Sequence, residues 1–227
     1  MTHRLSLLFT AAFVIALAGM PPLKLALDGA GSMGLGAAMV SGSVWNGRID
    51  YAVFRGTSLG TLQARLDPVG LLTGVARVRL ESERGRANVV RGRHHGFDGA
   101  SLEIDAKELG LFLTGRVILE DAGIIFGGET CVEAKGRIRT EMLRESFGGP
   151  ELEGGLVCAG NDAVVELSGA NDAFQVAMTV KIQSGGQYRA ETVVTGAAAN
   201  QQSALALAGF SRNGDMLRRV DEGRLMR

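Results

Sequence analysis

Residues 40–72, VSGSVWNGRIDYAVFRGTSLGTLQARLDPVGLL, decide the fold. They contain the only tryptophan of the chain, Trp45, inside Gly42-Ser-Val-Trp-Asn-Gly47. Asn46-Gly47 is a pair that tolerates positive φ at both positions, so it predicts a tight hairpin turn. Beyond it, Ile49, Tyr51 and Val53 are spaced by polar Arg48 and Asp50. A second turn is expected at Gly56-Thr-Ser, and then Leu62, Ala64 and Leu66 alternate with Gln63, Arg65 and Asp67. Alternation with a period of two describes a strand with one buried face. The stretch therefore reads as a β-meander whose first turn carries a bulky aromatic.

Working outward, the same pattern recurs. Asp67-Pro68 breaks the chain. Ala76, Val78 and Leu80 alternate with charged neighbours, residues 82–85 turn, and residues 86–91 return as a short strand. The segment GRHHGFDG at 92–99 reads as a glycine-flanked loop. Leu102, Ile104 and Ala106 form the next apolar row, and Glu120-Asp-Ala-Gly123 reads as a hairpin turn between residues 116–119 and 124–126. Residues 131–140 alternate again, with Val132, Ala134 and Ile138 on one face, and residues 141–147 are the best helix candidate outside the N-terminus. Residues 163–169 read as a strand followed by a turn at Asn171-Asp172. Phe174, Val176, Met178, Val180 and Ile182 form the cleanest alternation, and Gly185-Gly186 turns into residues 188–195. Leu205 and Leu207 end the series, and the charged tail from Ser211 reads as frayed.

About a dozen short strands with turns every 8–12 residues are an all-β signature. Each strand has one apolar face. That face must meet a second sheet, close on itself, or line a groove holding something apolar. We expect an elongated antiparallel meander, sandwich-like or an open curved sheet, behind one N-terminal transmembrane or signal-anchor helix.

The chain has 227 residues, enough for one elongated β domain or two small ones. The formal net charge is zero, so there is no basic surplus for phosphates, and nucleic acid is excluded as an expected partner. Thirty-three glycines against 4 prolines, set among alternating segments, indicate many turns and bulges.

Residues 5–20, LSLLFTAAFVIALAGM, are uncharged and follow His3 and Arg4. As a helix they rise roughly 24 Å, somewhat short of a ~30 Å hydrocarbon core. They read either as a signal peptide with a cleavage site at Ala16-Leu-Ala18 or as an uncleaved anchor with Arg4 inside. A buried core helix is the third alternative. Both export readings place the remainder outside the cytoplasm. The resulting organisation is an anchor at 1–22, a connector at 23–38, a periplasmic β domain at 39–210 and a charged tail at 211–227.

Few constellations point to chemistry. Gly29-Ala-Gly31-Ser-Met-Gly34 matches G-x-G-x-x-G, but no βαβ unit follows, so it is read as a connector. His94-His95 near Asp98 could approach a metal, but adjacent residues on an extended strand face opposite ways, and a solvated loop is the expectation. Arg84, Arg86, Arg91 and Arg93 read as a charged hairpin edge, with a basic rim for anionic headgroups as the alternative. No nucleophile elbow, zinc-protease motif or phosphate loop is present, and neither a catalytic residue, a metal ligand nor a cofactor is assigned. Cys131 and Cys158, in an exported chain, are expected to form a disulfide, with free buried thiols as the alternative. Closing a loop of that length stabilises by roughly 3–4 kcal/mol in the chain-entropy model.

The run V-S-G-S-V-W-N-G-R at 40–48 and the run L-G-T-L-Q-A-R-L-D-P-V-G-L-L at 59–72 resemble protein N of the type II secretion system. Cys131-x-x-Ala-x-Gly136-x-Ile-x-Thr140, the Gly149-Pro150-x-Leu152-x-Gly154 turn and Cys158 are similar to the same family. On this resemblance Gly42, Trp45, Asn46, Gly47, Gly149 and Pro150 are structural motif positions, and Cys131 and Cys158 fall on the disulfide positions. The resemblance implies a single-pass inner-membrane protein, attached through residues 5–20, with a non-catalytic periplasmic domain that contacts other secretion components. The alternative from a different class is a periplasmic lipid-binding trough, in which the uncovered apolar face of the meander holds acyl chains.

Overall fold

The structure is a computed structural model, and it describes residues 35–36, 38–54, 57–105, 115–141 and 148–224. The expected export segment, the G-x-G-x-x-G match and the helix expected at 141–147 lie outside those residues, apart from Glu141. The chain divides into two compact units, Met1–Glu83 and Arg84–Arg227.

In the first unit the strands are β1 (Leu35–Gly36), β2 (Met39–Ser43), β3 (Asn46–Phe54), β4 (Thr57–Leu66) and β5 (Val75–Ser82), with helix α1 (Pro68–Leu72) between the last two. Their order is β1-β3-β4-β5, and β2 also pairs with β3; every pairing described within the unit is antiparallel. The alternation seen in sequence becomes one apolar cluster. Ile49, Ala52, Leu62 and Ala64 are buried, and Val40, Val44, Val78 and Leu80 pack against them. Asp67-Pro68 does more than break the chain, since it starts α1. The Asp67 carboxylate accepts from the Val69 N–H at 3.0 Å, and Pro68 takes the first helical position, where its missing N–H is harmless.

The second unit is a longer meander: β6 (Gly85–Gly92), β7 (His94–Asp105), β8 (Arg116–Gly127), β9 (Thr130–Thr140), β10 (Leu152–Ala159), β11 (Asp162–Ala170), β12 (Gln175–Ile182), β13 (Gln187–Thr195), β14 (Ser211–Asn213) and β15 (Met216–Arg224), with helix α2 (Ala199–Leu207) after β13. Neighbours in space follow chain order except at the end, where β15 lies between β13 and β14. It is one antiparallel sheet, and no second stacked sheet is found among the described residues, so the open form of the expectation holds and the sandwich form does not. One face carries the apolar row Val165, Leu167, Val176, Met178 and Val194, all buried in a single cluster.

Several local expectations change. The 92–99 loop is part of strand, because β7 begins at His94 and pairs with Phe126 and Gly127 of β8. The hairpin expected at 120–123 is a bulge inside the continuous β8. Registers shift between Glu120 and Gly123, and Asp121 takes φ +50°. The true turn is Gly128-Glu129, between the paired residues Gly127 and Thr130. A second bulge opposite Phe126 displaces Val132 from the apolar face, so Val132 is exposed while Cys131 is buried.

Leu205 and Leu207 do not alternate on a strand. They lie on α2, where residues two apart point about 200° apart around the axis, and the burial agrees: Leu205 is 0% exposed and Leu207 92%. The segment ANQQSALAL lacks β-branched residues and is rich in good helix formers, which outweighs two leucines at strand spacing. Leu205 and Phe210 enter the same cluster as Phe174, Val176 and Met178, so α2 helps fill the apolar face that the sequence left open.

The tail is also ordered. All nine residues of β15 pair with β13. Leu217 turns inward opposite Val194, while Arg218 grips Glu191 through two hydrogen bonds of 2.8 and 2.9 Å. On the inner side Arg219 pairs with Asp221 and donates to the Ala208 carbonyl at the C-terminus of α2, a favourable place for a cation. The charges that suggested fraying tie β15 to β13 through Arg218 and Glu222 and to the end of α2 through Arg219.

Replacing Leu205 by Ala is expected to lower stability by about 2–5 kcal/mol, because a fully buried leucine leaves a cavity. Leu207→Ala should stay within about 0.5 kcal/mol of the parent. Chemical denaturation of both variants checks the assignment of 199–207 to a helix, since a strand with both leucines inward would make the two costs alike.

Candidate interaction edges

An open sheet has two kinds of exposed backbone edge, and side chains decide whether an edge accepts a partner. In the first unit β2 is such an edge, since its only pairing among the described residues is with β3. Its sequence, Met-Val-Ser-Gly-Ser, is uncharged. Val40 faces the cluster, whereas Met39 is 62% exposed. Nearby on β3, Tyr51 is 69% exposed and sits at φ +54°, where the β3–β4 register slips.

The motif residues close the other end of β2. The turn is Val44-Trp45, because Ser43 pairs with Asn46 and Gly42 with Gly47. Asn46-Gly47 thus opens β3 and is not the turn. Gly42 is the residue with positive φ, +84°, and a Cβ there would come 2.5 Å from the Asn46 carbonyl oxygen. Trp45 is half-buried, Asn46 exposed and Gly47 buried. The Val44 carbonyl accepts from the Leu66 N–H at 3.0 Å, which ties the turn to the end of β4.

In the second unit the outer edge is β15. Strand β14 covers only Met216, Leu217 and Arg218, and residues 219–224 pair on the β13 side alone among the described residues. This edge carries Arg219, Asp221, Glu222 and Arg224. Density of charge of that kind discourages strand addition. The Arg218 guanidinium, hydrogen-bonded to Glu191, holds the Glu191 carboxyl below its ordinary value, and desolvation opposes this only in part. Asp50, beside β2, is likewise held down by its hydrogen bond from Arg48 at 2.8 Å, with Thr61 also donating to it.

The cysteines form a disulfide, with Cα atoms 5.6 Å apart. Its position has a clear purpose in the ladder. The described pairing of β9 with β10 runs from Thr140–Leu152 to Arg137–Gly155 and stops short of the ends that carry Cys131 and Cys158. The disulfide and a hydrogen bond from the Cys131 N–H to the Asn161 carbonyl, 2.9 Å, hold those ends together. Gly149 and Pro150 are buried just before β10. Gly154 lies within β10 and not in a turn; a Cβ there would fall 1.7 Å from the Glu166 carbonyl oxygen, so only glycine fits.

His95 stacks on Phe126 with ring centroids 5.9 Å apart, which gives it a packing role. No group of three metal-ligating side chains occurs among the described residues. The β8 bulge shapes an open depression of about 510 Å³ lined by Ser101, Leu119, Glu120, Asp121, Gly136 and Arg137. Arg84, Arg86, Arg91 and Arg93 lie exposed on or beside β6. The edge at Met39 was missed in sequence because β2 was read only as one arm of a hairpin; its uncharged composition was the available signal.

Because Glu191 titrates low in the folded chain, its contribution to stability is present above the ordinary carboxylate range and is lost as pH falls through its folded value. Acid should therefore loosen β15 first. Amide exchange followed from neutral to acid pH is expected to show residues 216–224 losing protection before β11 and β12, and Arg218→Gln should abolish that difference.

The family model of type II secretion system protein N matches residues 33–220. No curated protein matches the chain, and no solved structure matches it.

Proposed function

Since the chain belongs to the type II secretion system protein N family, we propose that it is a non-catalytic accessory component of that machine. In this reading residues 5–20 hold it in the inner membrane, both units lie in the periplasm, and edge β2 docks on another secretion subunit by strand addition. The observation that carries it is the contrast between the two edges. Strand β2 is uncharged and shows an exposed methionine, whereas β15 is lined with charge. An added strand gains its affinity from main-chain hydrogen bonds and its selectivity from alternate side chains, and β2 offers both at little desolvation cost. The disulfide supports an oxidising compartment, where such bonds persist.

The lipid-trough reading rested on an uncovered apolar face around residues 174–182. Phe174, Val176 and Met178 are buried in the cluster that α2 joins, which removes the open face at those positions.

A photo-reactive residue at Met39, in cells running type II secretion, is expected to cross-link to a secretion subunit, while the same residue at Val220 of β15 should not. Absence of any secretion subunit among the Met39 adducts would overturn the proposal.

A further inference from the structure

One end of the first unit has a composition that the docking edge does not use. Helix α1 exposes Val69 at 66%, Leu71 at 42% and Leu72 at 89%, and none of its residues is buried. A five-residue helix with three exposed large apolar side chains gains nothing from folding by their exposure. The Val44-Trp45 turn lies at the same end, because the Leu66 N–H bonds to the Val44 carbonyl and Asp67 bonds to the Arg77 carbonyl at 2.8 Å. The half-buried Trp45 follows Val44 in that turn.

Cations flank this tip. Arg65 and Arg79 are direct cross-strand partners in the β4–β5 ladder and both are exposed. Like charges directly opposite destabilise a sheet, so this pair costs the fold something and presents two cations to solvent. Neither has an ion-pair or side-chain hydrogen-bond partner among the described residues. Arg77, two positions from Arg79 on the same exposed face, has its stem within reach of Gly70 in α1, since a Cβ at Gly70 would lie 3.8 Å from the Arg77 Cβ. The end therefore shows three exposed apolar side chains on α1 and two exposed arginines at the adjoining ends of β4 and β5.

We propose that this end of the first unit seats on a bilayer surface rich in anionic phospholipid, with Val69, Leu71 and Leu72 entering the interfacial region, Trp45 at headgroup level, and Arg65 and Arg79 on the lipid phosphates. Apolar and aromatic side chains bordered by basic residues are the combination that interfaces select. The tether makes the contact geometrically simple. If residues 5–20 are anchored, the connector at 23–38 extends at most about 3.6 Å per residue, so the unit stays near the membrane. That last step rests on the membrane attachment proposed above; the tip and its arginines do not.

The sole tryptophan is the reporter. The full chain is reconstituted into vesicles of phosphatidylcholine alone or of an equal mixture with phosphatidylglycerol, each with and without brominated acyl chains. We expect Trp45 emission to shift to the blue and to be quenched by brominated lipid in the anionic vesicles, with much weaker quenching in the zwitterionic ones. Leu71→Ser with Leu72→Ser should abolish quenching while the disulfide and the β-type circular dichroism persist. Each of Arg65→Gln and Arg79→Gln should lower the docked-to-undocked ratio roughly fivefold, the factor that corresponds to about 1 kcal/mol per basic residue at an anionic surface. A chain retained in the vesicles whose Trp45 is not quenched in either lipid overturns the docking and leaves the tether standing. A chain that neither stays with the vesicles nor is quenched overturns both.

Discussion

A one-layer antiparallel sheet has to solve two problems with the same residues: its apolar face must be hidden from water, and its backbone edges must be controlled. In each unit the period-two alternation answers the first. Ile49, Leu62 and Ala64 gather in one unit, and Val165, Leu167, Val176, Met178 and Val194 in the other. Helix α2 adds Leu205 to the second cluster, and bulges in β8 and β9 bend the strands that carry it. The edges remain, and the two are treated differently. Ion pairs run along β15, while β2 is left neutral.

The disulfide belongs to this account as a repair of geometry. The described β9–β10 pairing ends at Arg137–Gly155, level with the register shift between β8 and β9 after Glu120–Arg137. Covalent closure at Cys131 and Cys158, together with the Cys131 N–H bond to the Asn161 carbonyl, keeps the ends of the two strands adjacent beyond their described pairing. Gly154 serves the same region by letting the β11 backbone approach where a side chain would collide with Glu166.

Much of this was legible in the residues. The alternations at 62–66 and 174–182 are strands in the structure, the turns at Asn171-Asp172 and Gly185-Gly186 are in place, and the two cysteines pair. What failed did so for identifiable reasons. Asn46-Gly47 has turn composition, but Ser43 pairs with Asn46 and Gly42 with Gly47, so the turn lies two residues upstream. Gly-rich 92–99 looks like a loop, yet Gly96 is needed where a Cβ would lie 2.0 Å from the Ile124 carbonyl oxygen, which is a demand of close strand approach. Leu205 and Leu207 fit a strand period by chance within a segment whose local propensity is helical. The charged tail reads as frayed in sequence because pairing with β13 cannot be read from one strand alone. Family membership was legible from the Trp45 element and the cysteine pair together, and the match over residues 33–220 covers both.

The central claim is that neutral edge β2 is where this chain meets the secretion machine. Hydrogen–deuterium exchange of residues 39–43, compared between the isolated full chain and the chain within the assembled secretion complex, tests it most directly. The account predicts that these amides become protected on assembly while those of β15 do not. Unchanged exchange at 39–43, with new protection appearing elsewhere in the chain, would contradict it.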